Sequence, residues 1–164
     1  MTECRTITQD ELDWLTELNN ACIPGVNEMT ADGLWDIVEK AAYAKILWDN
    51  IGEGPQPLGA LTVLTPGVTH WSTYYAWCGE RFDDFYYVDR IIVSEAARGR
   101  KVGERMYRDL FGFVEGRTTR VLCEVNTIPA NPGSMRFHER LGFRPIDRLG
   151  DATKEVQFYE YLLP

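Results

Sequence analysis

Apolar residues fall along the chain in short blocks whose period alternates between that of a strand and that of a helix, and the sharpest change lies between Phe85 and Gly116. Tyr86 to Val93 is β-branched and aromatic with no Gly or Pro, which predicts an interior strand. Ser94-Glu95-Ala96-Ala97 breaks the pattern. Arg98-Gly99-Arg100-Lys101-Val102-Gly103 follows, and Val102, Met106, Leu110 and Phe113 then recur on one helix face, predicting a helix from Lys101 to Val114. Upstream, Cys4 to Ile7 reads as a short strand, and Thr8-Gln9-Asp10-Glu11 matches a capping box ahead of Leu12, Leu15 and Leu18, so a helix is expected from about Gln9 to Asn20. Thr30 caps a second helical segment carrying Leu34, Trp35, Val38 and Ala41. Tyr43 to Trp48 and Leu58 to Leu64 form a hairpin about the Gly/Pro-rich turn Ile51 to Pro57. Pro66 to Asp84 has no clear period and is expected to be a loop or an irregular extension. Arg120 to Val125 is a strand, Asn131 caps a helix with Pro132 at its first position, and Gly142 ends it. Phe143 to Leu149 and Lys154 to Leu162 close the chain as strands. This order implies an α/β fold whose mixed sheet of about six to seven strands, flanked by about four helices, has parallel neighbours at its centre, in a single domain over residues 1–164.

The turn after Val93 has a chemical consequence. A helix start leaves backbone N–H groups unpaired and carries the positive end of the macrodipole. Gly99 and Gly103 permit close backbone approach, and Arg98, Arg100 and Lys101 add charge at the same point, a combination suited to phosphate or diphosphate. Net charge is −8, yet Arg90 to Arg108 carries six basic residues against two acidic ones, a local +4 that leaves −12 for the remainder. Such a balance disfavours nucleic acid as a partner and fits an anionic small molecule held in one basic notch.

On these residues the chain resembles the GNAT superfamily of acyl-CoA-dependent N-acyltransferases. Ile91-x-Val93 followed by Arg98 to Gly103 is similar to the family's strand-turn-helix signature, and Asn131, Ser134, His138 and Gly142-Phe143 fall in register with its second signature. Two positions depart: Lys101 stands where the family has a glycine, and His138 where it has the tyrosine that protonates the leaving thiolate. The resemblance implies acetyl-CoA as cosubstrate, an amine as acceptor and no metal. It places the Ile91, Ile92 and Val93 main chain on the thioester arm, which slots between the fourth and fifth strands. It also places Arg98, Gly99, Arg100, Lys101, Val102 and Gly103 on the diphosphate, with Asn131 as a further cofactor contact.

Proton transfer then needs candidates. Asp89 shares a strand face with Tyr87, Ile91 and Val93, and an acid in an apolar strand is either functional or paired with a nearby arginine. Glu124, on the neighbouring strand and facing opposite to Cys123 and Val125, is the reserve base. His138 is the candidate acid or relay, its alternative being a packed histidine. Asn126 and Asn131 have structural explanations as turn and cap besides a contact role. Trp71, Tyr74, Tyr75 and Trp77 either pack beneath a loop or line the acceptor pocket. Cys4, Cys22, Cys78 and Cys123 show no metal-site or disulfide spacing, and Cys123 reads as a core thiol. No apolar run approaches the ~20 residues of a membrane span. The N-terminal residues lack a signal-peptide core, so a cytoplasmic location is expected. A second copy of the chain is carried as a partner. The alternative to an N-acetyltransferase is a CoA-binding module without catalysis; a phosphate-loop enzyme is set aside because Gly-x-x-x-x-Gly-Lys-Ser/Thr is absent.

Overall fold

The computed structural model describes residues 2–164. Seven strands hydrogen-bond in the order β1-β2-β3-β4-β5-β7-β6. They are β1 (Glu3–Thr6), β2 (Tyr43–Asn50), β3 (Pro55–Leu64), β4 (Tyr86–Val93), β5 (Arg120–Ile128), β6 (Arg144–Gly150) and β7 (Glu155–Leu162). Five α-helices join them: α1 (Leu12–Ala21), α2 (Ala31–Lys40), α3 (Thr73–Arg81), α4 (Val102–Val114) and α5 (Pro132–Leu141). The mixed α/β architecture expected from the sequence is the one observed. The chain divides into two compact units, residues 1–64 with 88–114, and residues 65–87 with 115–164.

In the first unit, β2 pairs antiparallel with β1 and with β3. Thr8 caps the N-terminal helical segment as its sequence predicts, its hydroxyl accepting from the Asp10 N–H while the Glu11 carboxylate accepts from the Thr8 N–H at 2.8 Å. Leu15, Leu18, Leu34 and Val38 turn the apolar faces of α1 and α2 onto Ala44, Ile46, Ala60 and Ile92. Each large aliphatic so buried contributes roughly 1.5–3 kcal/mol. Period-2 alternation sends the intervening residues to the other face, where α4 lies. There Gly59 is indispensable: a Cβ would stand 2.9 Å from the Ile92 carbonyl oxygen and 3.0 Å from both Val102 Cγ1 and Met106 Cε. Tyr43 donates to Asp109 Oδ2 at 2.7 Å and Lys45 at 3.0 Å, which fixes the far end of α4 to β2.

In the second unit, Tyr86 and Tyr87 at the start of β4 run parallel to Val121 and Leu122 of β5. β7 lies antiparallel between β5 and β6, so the β5–α5–β6 crossover does not make its two strands neighbours. The stretch expected to be loop contains α3. Ser72 caps it by accepting from the N–H groups of Tyr74 and Tyr75, and Tyr75, Trp77 and Cys78 are buried. With nine residues and aromatics instead of leucines, that helix is too short to display a period. Trp77 stacks on Phe158 at 3.9 Å, and the Arg81 guanidinium covers the indole at 4.1 Å from its centroid.

Candidate functional site

β4 delivers the first unit's site. Its last residue, Val93, is followed by Ser94, whose N–H donates to the Leu58 carbonyl at 2.8 Å and anchors the strand end to β3. A single 3-10 turn, Glu95–Ala97, buries Ala97 and projects Arg98 to Lys101 outward. Gly99 has φ +80° and Lys101 φ +57°, so two left-handed residues fold the backbone back onto the start of α4. Lys101 is the position at which the resemblance has a glycine, and lysine takes up glycine's conformation there. Its carbonyl accepts the first helical N–H, from Arg105, at 3.0 Å. The first-turn amides of α4 thus open onto an exposed basic turn, with α4 anchored from behind by buried Val102 and Met106.

The basic residues of this region divide by partner. Arg105 pairs with Asp49 at 2.8 Å, Arg108 with Glu104 at 2.6 Å and Arg90 with Asp89 at 2.8 Å. The Arg105 guanidinium holds the Asp49 carboxyl at about 2, below the usual carboxylate range, with the Asn50 N–H helping. Among the described residues, no carboxylate pairs with Arg98, Arg100 or Lys101. Those three cations surround the helix start, a geometry that accommodates a polyanion.

Asp89 lies on β4 with its carboxylate 3% exposed, turned to the guanidinium of its sequence neighbour Arg90. Ile91 and Val93 are half-buried and Ile92 is buried. Strict alternation puts Asp89 and Arg90 on opposite faces, yet their head groups meet. Arg90 also donates to Asn19 and Asn27.

In the second unit, Glu124 on β5 is half-buried, and the buried phenol of Tyr87 donates to its carboxylate, 2.8 Å from each oxygen. The same carboxylate raises the neighbouring acids: burial first and then Glu124 push the Cys78 thiol and the Tyr74 phenol upward. Tyr87 was legible only as a face-mate of Asp89; its role as the hydrogen-bond donor to Glu124 required the β4–β5 register.

His138 is 3% exposed on α5, among Phe137, Phe143 and Tyr159. Its Nδ1 lies 2.8 Å from the Ser134 carbonyl oxygen, a contact the ring makes as N–H donor, and burial lowers its pKa below the ordinary 6.5. Burial and the Glu139 hydrogen bond push the Tyr159 phenol up to about 12. Asn131 accepts from the Ser134 N–H at 3.3 Å as the cap of α5, and its own N–H donates to the Asn126 carbonyl. Cys123 is buried in the β5 core. Thus Ile91 to Gly103 and Asp89 belong to one unit, and Glu124, Asn131 and His138 to the other. Among the described residues no group of three metal-ligating side chains occurs, and no helix is long and apolar enough to cross a membrane.

Comparison with known proteins bears on this geometry. The fold is similar to Arabidopsis thaliana NAA60 in complex with a bisubstrate analogue, with a TM-score of 0.79 at 15% identity over 99% of this chain and 98% of that one. The same protein in complex with acetyl-CoA matches with a TM-score of 0.76 at 14% identity, over 99% of each chain. The ribosomal-protein-S18-alanine N-acetyltransferase from Escherichia coli matches with a TM-score of 0.73 at 11% identity, over 99% of this chain and 94% of that one. No curated protein sequence matches. The family model described as the acetyltransferase (GNAT) family matches residues 27–143, well over half of the chain and including both the basic turn and α5. The chain belongs to the GNAT acetyltransferase family.

Proposed function

We propose that the protein transfers an acetyl group from acetyl-CoA to the amine of a small molecule or a protein. The observation that carries the reading is the turn at Arg98 to Lys101. Two left-handed residues lead into the first turn of α4, with three basic side chains that no carboxylate of the described chain neutralises. Main-chain amides of Lys101, Val102 and Gly103 hold the diphosphate of CoA there, assisted by Arg98, Arg100 and Lys101. The main chain of Ile91, Ile92 and Val93 steadies the pantetheine arm and the thioester carbonyl.

The amine nitrogen attacks the thioester carbon, the C–S bond breaks, and the nitrogen must shed one proton while the thiolate gains one. Glu124 accepts the nitrogen's proton, with Tyr87 orienting its carboxylate; Asp89 is held in its ion pair with Arg90. Solvent supplies the proton that the thiolate takes up. His138 holds α5 in place by packing on Phe143 and Tyr159; its Nδ1–H is spent within the helix on the Ser134 carbonyl, and burial keeps the ring neutral. Asn131 caps α5 with its side chain and ties the helix start to β5 by donating its N–H to the Asn126 carbonyl. Peptides are among the first acceptors to try: one fold neighbour is the NatC complex bound to Gag peptide and CoA, and the E. coli neighbour acts on a ribosomal protein.

The burial of His138 at the tyrosine register favours one alternative, a CoA-binding module without turnover. Incubation with acetyl-CoA and a panel of free α-amino peptides, N-blocked lysine peptides and polyamines, followed by free-thiol release, decides between them. Thiol release that depends on an amine supports the transferase; calorimetric CoA binding with no release supports the module; no binding refutes both.

A further inference from the structure

The second buried charge of β4 has no part in the chemistry above. Arg90 is 5% exposed and donates in three directions: to Asp89 Oδ2 at 2.8 Å, to Asn19 Oδ1 at 2.7 Å and to Asn27 Oδ1 at 3.2 Å. Asn19, fully buried on α1, passes the contact on by donating to the Asn27 carbonyl at 2.9 Å and to Asn20 Oδ1 at 3.0 Å. Asn20 closes the network on Met29, donating to its carbonyl and accepting from its N–H, each at 3.0 Å. The connector between α1 and α2, residues 22–30, is therefore tied at one end to α1 and in its middle, through Arg90, to β4. It also reaches the exit of β4: the Cys22 thiol donates to the Val93 carbonyl at 4.0 Å, and the next residue, Ile23, is 47% exposed.

A buried Asp–Arg pair is weak evidence for stability, since apolar residues of similar volume often leave a protein as stable or more so, whereas the planar guanidinium fork dictates where its acceptors stand. What the network secures is the position of a connector that carries no helix or strand of its own and borders the last residue of β4.

We propose that Arg90 is a positioning residue for the acceptor. Through Asn19 and Asn27 it fixes residues 22–30 beside the end of β4, where the connector frames the incoming amine. This rests on the acyl-transfer reading.

Arg90→Lys keeps the charge and loses the fork; Asn27→Ala, at an exposed position, removes the Arg90 contact together with the local Nδ2 contacts to the Glu28 carbonyl and Met29 Sδ, and replaces no residue of the core. In the full-length protein, amide hydrogen exchange over residues 22–30 should accelerate about tenfold or more in Arg90→Lys and about threefold in Asn27→Ala, while α4 keeps its protection. With the amine that the unaltered protein acetylates fastest, KM for the amine should rise about fivefold in each variant and the Kd for CoA stay within about twofold. Unchanged exchange over 22–30, or a CoA Kd that weakens in step with the amine KM, overturns the proposal. Should Arg90→Lys fail to fold, Asn27→Ala alone decides by the same criteria. If the unaltered protein neither binds CoA nor releases thiol, the acyl-transfer reading falls; the acceptor role falls with it, and exchange then reports only whether the lock exists.

Discussion

Replacing Lys101 by glycine separates what the backbone does at the basic turn from what the side chain does. At φ +57° the lysine Cβ crowds the following carbonyl, at a cost of roughly 1–2 kcal/mol. Glycine removes that cost and gives back roughly 0.5–1 kcal/mol through the greater freedom of the unfolded chain. Lys101→Gly should accordingly be more stable by roughly 0.5–1 kcal/mol, a rise in Tm of about 2–3 °C for a chain of this size. Lys101→Ala retains the strain and deletes the same charge, so its Tm should stay within about 1 °C of the parent. Both variants lose one cation from the turn, and each should bind CoA about two- to fivefold more weakly, with a shallower dependence on salt. Thermal and urea unfolding supply the first comparison, and calorimetry at two ionic strengths the second. A glycine variant that melts below the alanine variant refutes the left-handed assignment. If both variants bind CoA as tightly as the parent at each salt concentration, Lys101 does not help to hold the phosphates.

Glu124→Gln should slow amine-dependent thiol release by about 100-fold or more, and Tyr87→Phe by about tenfold, with CoA affinity unchanged in both; full activity in the glutamine variant ends the base assignment. Gly59→Ala should destabilise by roughly 1–3 kcal/mol, since the new methyl meets the Ile92 carbonyl, Val102 and Met106, whereas Gly112→Ala, with open space around it in the last turn of α4, should stabilise by up to roughly 0.5–1 kcal/mol; urea midpoints test the opposite signs. Burial holds the His138 pKa below 6.5, so the unfolded state binds a proton that the native state refuses. Stability should therefore be level above the unfolded pKa and fall as pH drops below it. His138→Phe should flatten that fall between about pH 6.5 and 5, and an undiminished slope would show that the imidazole is not the group responsible.

Most elements were legible because their local chemistry and tertiary packing agree. The Thr8 capping box, the Asn131 cap with Pro132, and Gly142 at φ +106° each carry a signal confined to a few residues, and each occurs where the sequence predicts it. α3 escaped because its one clear mark, Ser72 at the cap, precedes an aromatic run whose burial is decided by Phe85, Tyr87 and Phe158, all outside the helix. The basic turn could be read from Arg98 to Gly103 alone, since charge and backbone freedom lie in consecutive residues. The proton-handling groups could not. Alternation along β4 says which face Asp89 takes, but not that its carboxylate swings to Arg90, and Tyr87 meets Glu124 only once β4 and β5 are set side by side.

The same distinction governs the basic stretch as a whole. From the sequence, Arg90 to Arg108 is a net +4 that a solvated helix face would explain as well as a phosphate site. The structure divides it. Arg90 is consumed inside the first unit by Asp89 and two asparagines, Arg105 by Asp49, and Arg108 by Glu104 one turn away. A solvated face would scatter its unneutralised charges along α4, whereas here the residues with no carboxylate partner among the described residues are Arg98, Arg100 and Lys101, all before the helix begins and all on the segment with left-handed backbone. Charge left unpaired at the positive end of a helix is repelled by the macrodipole unless an anion comes to rest there. That cost is borne at the turn before α4, whose folded-back backbone suits a phosphate.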